Sequence, residues 1–186
     1  MLSAIQARYG SKQALLRHIS YGLLSAIGRY RHLSHPCFAK VDRLVYVCSG
    51  NICRSAFGSQ AARSAPFEAV SFGLHCPDGD PAHDKMQRVA HAHELDLSSH
   101  QSSNIANYTP RPGDLVLGME PSHAQQMPEA IYGAAQVSLL GLWSRHRSVY
   151  LHDPYSAGPA YFEHCAQRIT EATHTLIKRI RDAKAG

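Results

Sequence analysis

Cys48, Arg54, Ser55 and Asp153 are the residues whose types and spacing could do chemistry in this chain. Five residues lie between Cys48 and Arg54, and they include Gly50 and Asn51, two residue types that accept left-handed backbone angles. A tight loop built this way turns its backbone N–H groups inward, and a helix opening at Arg54–Ser55 adds its positive end. Such a cradle suits an anion, above all phosphate. A thiol beneath the anion supplies a nucleophile, because the helix terminus and a guanidinium both stabilise the negative charge of a thiolate. Arg54 can grip two phosphate oxygens with its planar fork, and Ser55 can donate to the sulfur when it departs. These residues would transfer a phosphoryl group without a metal. Cysteine, five residues, arginine is by itself a pattern that arises by chance. A buried structural cysteine is the plain alternative, though it explains neither the Gly-Asn turn nor the Arg-Ser that follows.

The elements around this loop must hold it. Residues 44–47, Leu-Val-Tyr-Val, form an apolar run with the pattern of a buried strand, and residues 55–64 read as the helix leaving the loop. Further buried strands are expected at 69–73, 114–119 and 136–140, with helical patterns at 83–94, from 121 to 127 and over 159–184. Strands alternating with helices at these intervals argue for an α/β fold. The expectation is a three-layer arrangement, with a four-stranded parallel sheet, helices on both faces and the phosphate loop after the first strand. His91 and His93 fall on different faces of their helix, so no metal site is expected there, and no cofactor is expected elsewhere.

The chain has 186 residues and is 44% hydrophobic, enough for one domain with a sizeable core. Its 5 cysteines are irregularly spaced and do not make a disulfide framework. No apolar run approaches a membrane span, and the basic–apolar–small layout of a secretory signal is missing, so the cytoplasm is the expected compartment. The formal charge of +5 is unevenly placed. Residues 1–41 hold Arg8, Lys12, Arg17, Arg29, Arg31 and Lys40 and no acid, whereas residues 42–186 are close to neutral. The chain thus divides into a basic arm, 1–41, and a catalytic domain, 42–186.

Within the arm, residues 11–33 repeat apolar side chains at helical spacing, with Leu15, Ile19, Leu23 and Ile27 on one line and Leu16 and Leu24 beside it. An amphipathic N-terminal helix with a basic face follows. Its stripe suits packing on the domain or on a second copy, as most amphipathic helices do, with contact to an anionic membrane surface or an acidic partner as the second reading. Nucleic acid is not an expected partner, because the cations are few and no aromatic stacking platform accompanies them.

The run from Val47 to Ser55, Val-Cys-Ser-Gly-Asn-Ile-Cys-Arg-Ser, resembles the phosphate loop of low-molecular-weight protein tyrosine phosphatases. The resemblance covers roughly residues 43–180 and leaves the arm unexplained. It implies that Cys48 is the nucleophile, that Ser49, Gly50, Asn51, Ile52, Cys53 and Arg54 bind the phosphate, and that Ser55 supports the thiolate. It also implies a general acid at Asp153 of Asp153-Pro154-Tyr155, which would protonate the leaving oxygen and then activate water. Without the loop, Asp-Pro would read as a common turn dipeptide. Leu97-Ser98-Ser99-His100 matches a family segment whose histidine braces the loop asparagine; a solvated His100 is the alternative. Tyr155 would wall the substrate slot, while Pro77 stands where many members carry an aromatic residue and Ser156 where many carry a second tyrosine. These departures, with Leu140-Gly141-Leu142-Trp143, resemble the bacterial branch associated with exopolysaccharide assembly. That branch implies a phosphotyrosine protein as substrate, and a membrane-bound tyrosine autokinase as its source.

Two other readings use the same fold. Arsenate reduction needs further cysteines some seventy to eighty residues past the nucleophile, and none lies between Cys76 and Cys165. Relatives that hydrolyse arginine phosphate carry a smaller polar residue where this loop has Ile52. A phosphate-binding adaptor without activity is the non-enzymatic alternative. Cys53, a second thiol inside the loop, is a candidate redox partner for Cys48.

Overall fold

The computed structural model describes residues 2–186; Met1, the first residue of the expected arm, lies outside them. Four parallel strands form one sheet in the order β2-β1-β3-β4, with β1 at Arg43–Cys48, β2 at Ala69–Gly73, β3 at Asp114–Gly118 and β4 at Gln136–Leu139. All six residues of β1 are buried, as a strand covered on both faces and both edges must be. Alternation along β1 divides the core. Leu44, Tyr46 and Cys48 face one cluster with the helices α3 (Arg54–Ser64) and α7 (Pro159–Ala185), while Val45 and Val47 face another with Met127, Ile131 and Tyr108. The sheet therefore carries helices on both faces.

Helix α3 lies on β1 at Gly58, where a Cβ would come 2.5 Å from the Tyr46 ring. The ring is fully buried, and its hydroxyl meets Thr173 Oγ1 of α7 at 2.9 Å. At the far end of β1, Arg43 makes a two-pronged ion pair with Asp114 of β3, both contacts at 2.7 Å, and the Tyr108 hydroxyl donates to the same carboxylate.

Strand boundaries fall within a residue of those expected. Helix α4 (Asp84–Ala92) is shorter than its pattern at both ends: His83 caps its start, Nδ1 accepting from the Lys85 amide, and Glu94, at φ +58°, turns the chain out of the helix after His93. The stretch after β3 contains two short helices, α5 (Pro121–Gln126) and α6 (Glu129–Ala134), separated at Pro128.

The arm departs further from a single helix. It forms α1 (Leu2–Tyr9) and α2 (Lys12–Ala26), broken at Gly10, whose φ of +85° only glycine takes without strain. Ser11 caps α2 by accepting from the Ala14 amide. The helix turns Ala14, His18 and Tyr21 toward the domain, and leaves Leu16, Ile19, Leu23 and Ile27 50–78% exposed. Helical periodicity reports an amphipathic helix but not which side is covered; here most of the expected stripe faces outward, while Leu15 is half-buried and Leu24 packs on the core. Tyr21 packs on Tyr150 with ring centroids 5.2 Å apart, and Gly10 sits against His152. The arm thus backs the segment that carries Asp153.

Candidate active site

The loop after β1 is shaped by where its carbonyls go. Ser49 O accepts from the His75 amide, Asn51 O from His100 Nε2 at 2.6 Å, and Ile52 O from the His83 amide. With the carbonyls tied outward, the N–H groups turn in; among the described residues, none of the amides of residues 49–53 donates a hydrogen bond within the protein. Asn51 makes the turn with φ +53° and is wholly buried. Its carboxamide orientation is dictated, since the Ser103 amide can only donate and therefore meets Oδ1 (2.9 Å). Nδ2 then donates to Ser55 Oγ at 2.8 Å. That donation occupies the hydroxyl oxygen and directs its proton at Cys48 Sγ, 3.0 Å away. Asn51, Ser55 and Cys48 form a relay of donors that ends on the sulfur.

Arg54 lies beneath the loop, 1% exposed. Its Nη1 donates to Leu151 O at 2.9 Å and its Nη2 to Asp153 Oδ2 at 2.6 Å, while Nε is buried without a partner. Burial works against its charge, but Asp153 and Cys48 more than reverse this and hold its pKa above the ordinary value. A buried guanidinium with a free donor beside an inward-facing ring of amides is an oxyanion seat. Asp153 holds its other oxygen on the Tyr155 amide at 3.1 Å. His152, just before it, is fixed by the Tyr150 hydroxyl at 2.8 Å and held neutral first by burial and then by Arg54.

Cys48, Ser49, Gly50, Ile52, Cys53, Pro77, Asp153 and Tyr155 line one cleft of about 310 Å³. Arg54, Asn51, Ser55 and His100 support it from below and behind. His100 contacts the loop through the Asn51 carbonyl, and burial lowers its pKa, so it donates as a neutral ring. Tyr155 is 59% exposed and meets His83 edge-on at 5.1 Å, and His83 stacks on Phe162. The slot therefore has one aromatic wall, with Pro77 contributing a smooth apolar one. Both loop thiols are free; burial, followed by Asp153 and Cys48, pushes the Cys53 pKa up and keeps it a thiol.

Sequence reasoning missed several neighbours. His75, Cys76 and Asp80 also line the cleft, arriving on the loop after β2 where no motif marks them. His123, on α5 beyond the end of β3, is 1% exposed and touches Ser49. Its Nδ1 accepts from the Met119 amide, so Nε2 carries the proton and donates to Ser49 Oγ at 3.2 Å. Burial and then Arg54 push its pKa down to about 3; Glu120, 3.5 Å from a nitrogen already bonded to Ser49, does not offset them. The position of β3 beside β1 was a usable signal for His123, since loops at the strand ends of adjacent parallel strands meet. Among the described residues no cluster of three or more potential metal ligands occurs, and no helix is long and apolar enough to cross a membrane.

Comparison with known proteins places this geometry. The family model described as low molecular weight phosphotyrosine protein phosphatase matches residues 43–185. The low molecular weight protein-tyrosine-phosphatase Etp of Escherichia coli (strain K12) is 29% identical over 147 residues, which is 76% of this chain and 96% of that one. The crystal structure of the Erwinia amylovora tyrosine phosphatase AmsI superposes with a TM-score of 0.65 at 25% identity, covering 75% of this chain and 93% of the other. Vibrio vulnificus Wzb in complex with benzylphosphonate gives 0.63 at 28% identity, covering 75% and 99%. From the start of β1 to the end of α7, this chain belongs to the low molecular weight phosphotyrosine protein phosphatase family.

Proposed function

We propose that the protein hydrolyses phosphotyrosine on a protein substrate through a phosphocysteine intermediate. The observation that carries this reading is the buried, half-partnered Arg54 set beside the Cys48–Ser55 pair, with Asp153 on the same guanidinium. The phosphate monoester enters the ring of inward amides and displaces the Asp153 carboxylate from Arg54, and the freed carboxylate takes up a proton from solvent. Cys48 Sγ, as the thiolate, attacks phosphorus, the ester P–O bond breaks, and Asp153 gives that proton to the leaving oxygen. Asp153, now a carboxylate, takes a proton from water as the water oxygen attacks phosphorus. The P–S bond breaks, and the thiolate is received by the Ser55 hydroxyl. Arg54 and the loop amides hold the equatorial oxygens through both steps.

A cytoplasmic protein of exopolysaccharide assembly, acting on the tyrosine-rich tail of a membrane-bound tyrosine autokinase, fits the branch that Pro77, Ser156 and the Leu140–Trp143 segment resemble, the 5 free cysteines and the arm. The arm's outward stripe of Leu16, Ile19, Leu23 and Ile27, on a segment with six cations and no acid, suits an anionic membrane surface. The two halves of the proposal are tested separately. Cys48→Ser should end aryl phosphate turnover while retaining phosphate binding; turnover that survives it rules out the phosphocysteine. Replacing the four stripe residues with serine should abolish sedimentation with anionic vesicles. Loss of a dimer instead would assign the stripe to a second copy. Removing the arm outright is the poorer experiment, because Tyr21 and Gly10 contact the acid loop.

A further inference from the structure

A second pocket, away from the catalytic cleft, exists only because the arm folds over α7. Arg8 and Tyr9 come from α1, His18 from α2, His146 and Arg147 from the segment leading to Asp153, and His164 and Arg168 from α7. They enclose about 400 Å³. Three guanidiniums face it against one carboxylate, Glu171, whose Oε1 already accepts from the Arg145 amide at 2.8 Å. Among the described residues, none of Arg8, Arg147 and Arg168 has a carboxylate within ion-pair distance. Arg168 meets only neutral oxygens, Ser144 Oγ at 3.3 Å and His146 O at 3.1 Å.

From this concave cluster of three cations on three separate segments, unmatched by ion-paired carboxylates, we infer a second anion site, which takes a phosphate group carrying two negative charges. The titrating groups that face the pocket register the same field. His18 and His164 both have lowered pKa values, from burial first and then from Arg168 and Arg8. Arg168 is itself lowered by burial. A bound dianion opposes each of these downward shifts through its charge, accepts from up to three guanidiniums, and ties the arm to the segment that ends at Asp153. The site does not depend on the catalytic reading above, because no residue of the cleft lines it.

The test reads the two imidazoles directly in the full-length protein. The titration midpoints of His18 and His164 are followed by NMR with and without inorganic pyrophosphate. Both should rise by about one pH unit when the pocket fills. In the double variant Arg8→Ala/Arg147→Ala, whose two side chains are exposed in the wild type, the shift should fall below about a third of that. That variant keeps the catalytic cleft, so a shift arising from occupancy there would persist in it. Unmoved midpoints at saturating pyrophosphate, or equal shifts in the variant, overturn the inference. A phosphoserine peptide in place of pyrophosphate separates the sources. Shifts with both assign the site to phosphorylated polypeptide, and shifts with pyrophosphate alone assign it to a small free anion.

Discussion

Asp153→Asn should move two measurements in opposite directions. The carboxylate lies 2.6 Å from Arg54 Nη2, where it competes with any oxyanion for the guanidinium. Two unit charges with centres about 4 Å apart interact by about 1 kcal/mol in water and about 4 kcal/mol at the dielectric of a protein surface. The Asp153 side chain is 42% exposed, so screening puts the pair in the lower part of that range. Removing about 1–2 kcal/mol of competition tightens phosphate or vanadate binding roughly 5- to 30-fold. The same change removes the proton donor, and general acid catalysis contributes roughly 10²- to 10⁴-fold. The assay is a series of aryl phosphates whose phenols differ in acidity, with vanadate inhibition measured in parallel. Turnover should fall most for the least acidic phenol and least for nitrophenol, while vanadate inhibits more strongly. Weaker vanadate binding would show that Asp153 helps to hold the anion, and a uniform loss across the series would show that it is not the acid. Either outcome refutes the reasoning.

Three further outcomes follow from the packing. Asn51→Ala places a residue with a left-handed penalty at φ +53° and orphans the Ser103 amide, so stability should drop by about 2–4 kcal/mol in denaturant unfolding. It also releases the Ser55 proton from the sulfur, which should slow phosphoenzyme breakdown in a burst assay. Gly58→Ala drives a methyl into the buried Tyr46 ring and should cost about 1–3 kcal/mol, read from the same unfolding curves; Gly22→Ala, in open space, is the control. His123 should make stability acid-sensitive. Its folded pKa of about 3 lies below the ordinary 6.5, so between these values the unfolded chain holds the extra proton. Stability is full above pH 6.5 and falls toward pH 3 by up to about 5 kcal/mol. His123→Asn should flatten that slope, and a slope unchanged by the substitution removes His123 as its cause.

What could be read in advance follows from the range of each interaction. The strand, loop and helix around Cys48 are contiguous, so local residue types set their geometry, including the left-handed Asn51. Four strands and the two-faced sheet came from periodicity, which reports burial along a segment well. The arm shows where periodicity stops. Leu15, Ile19, Leu23 and Ile27 define a stripe, but the covered side is chosen by His18 and Tyr21 meeting Ser148 and Tyr150, more than a hundred residues away in sequence. The histidines behaved likewise. His75 reaches the cleft, and His123 reaches Ser49 behind it, only because β2 and β3 flank β1, and nothing near them in sequence marks the contact. His83 reads as an ordinary helix start, yet supports the one aromatic wall of the slot.

The complete burial of β1 has a consequence for the order in which this enzyme comes apart. Its amides are shielded by strands on both sides and helices on both faces, so their protons exchange with solvent only through global opening. The segment bearing Asp153 hangs in the backbone chiefly on the amides of Ser148, Leu151 and Ala157, and beyond the buried Leu151 its amides should exchange earlier than those of β1. Cys48 and Asp153 would then part company on mild heating, with phosphate binding outlasting turnover. Exchange of both segments at a single rate would refute that order.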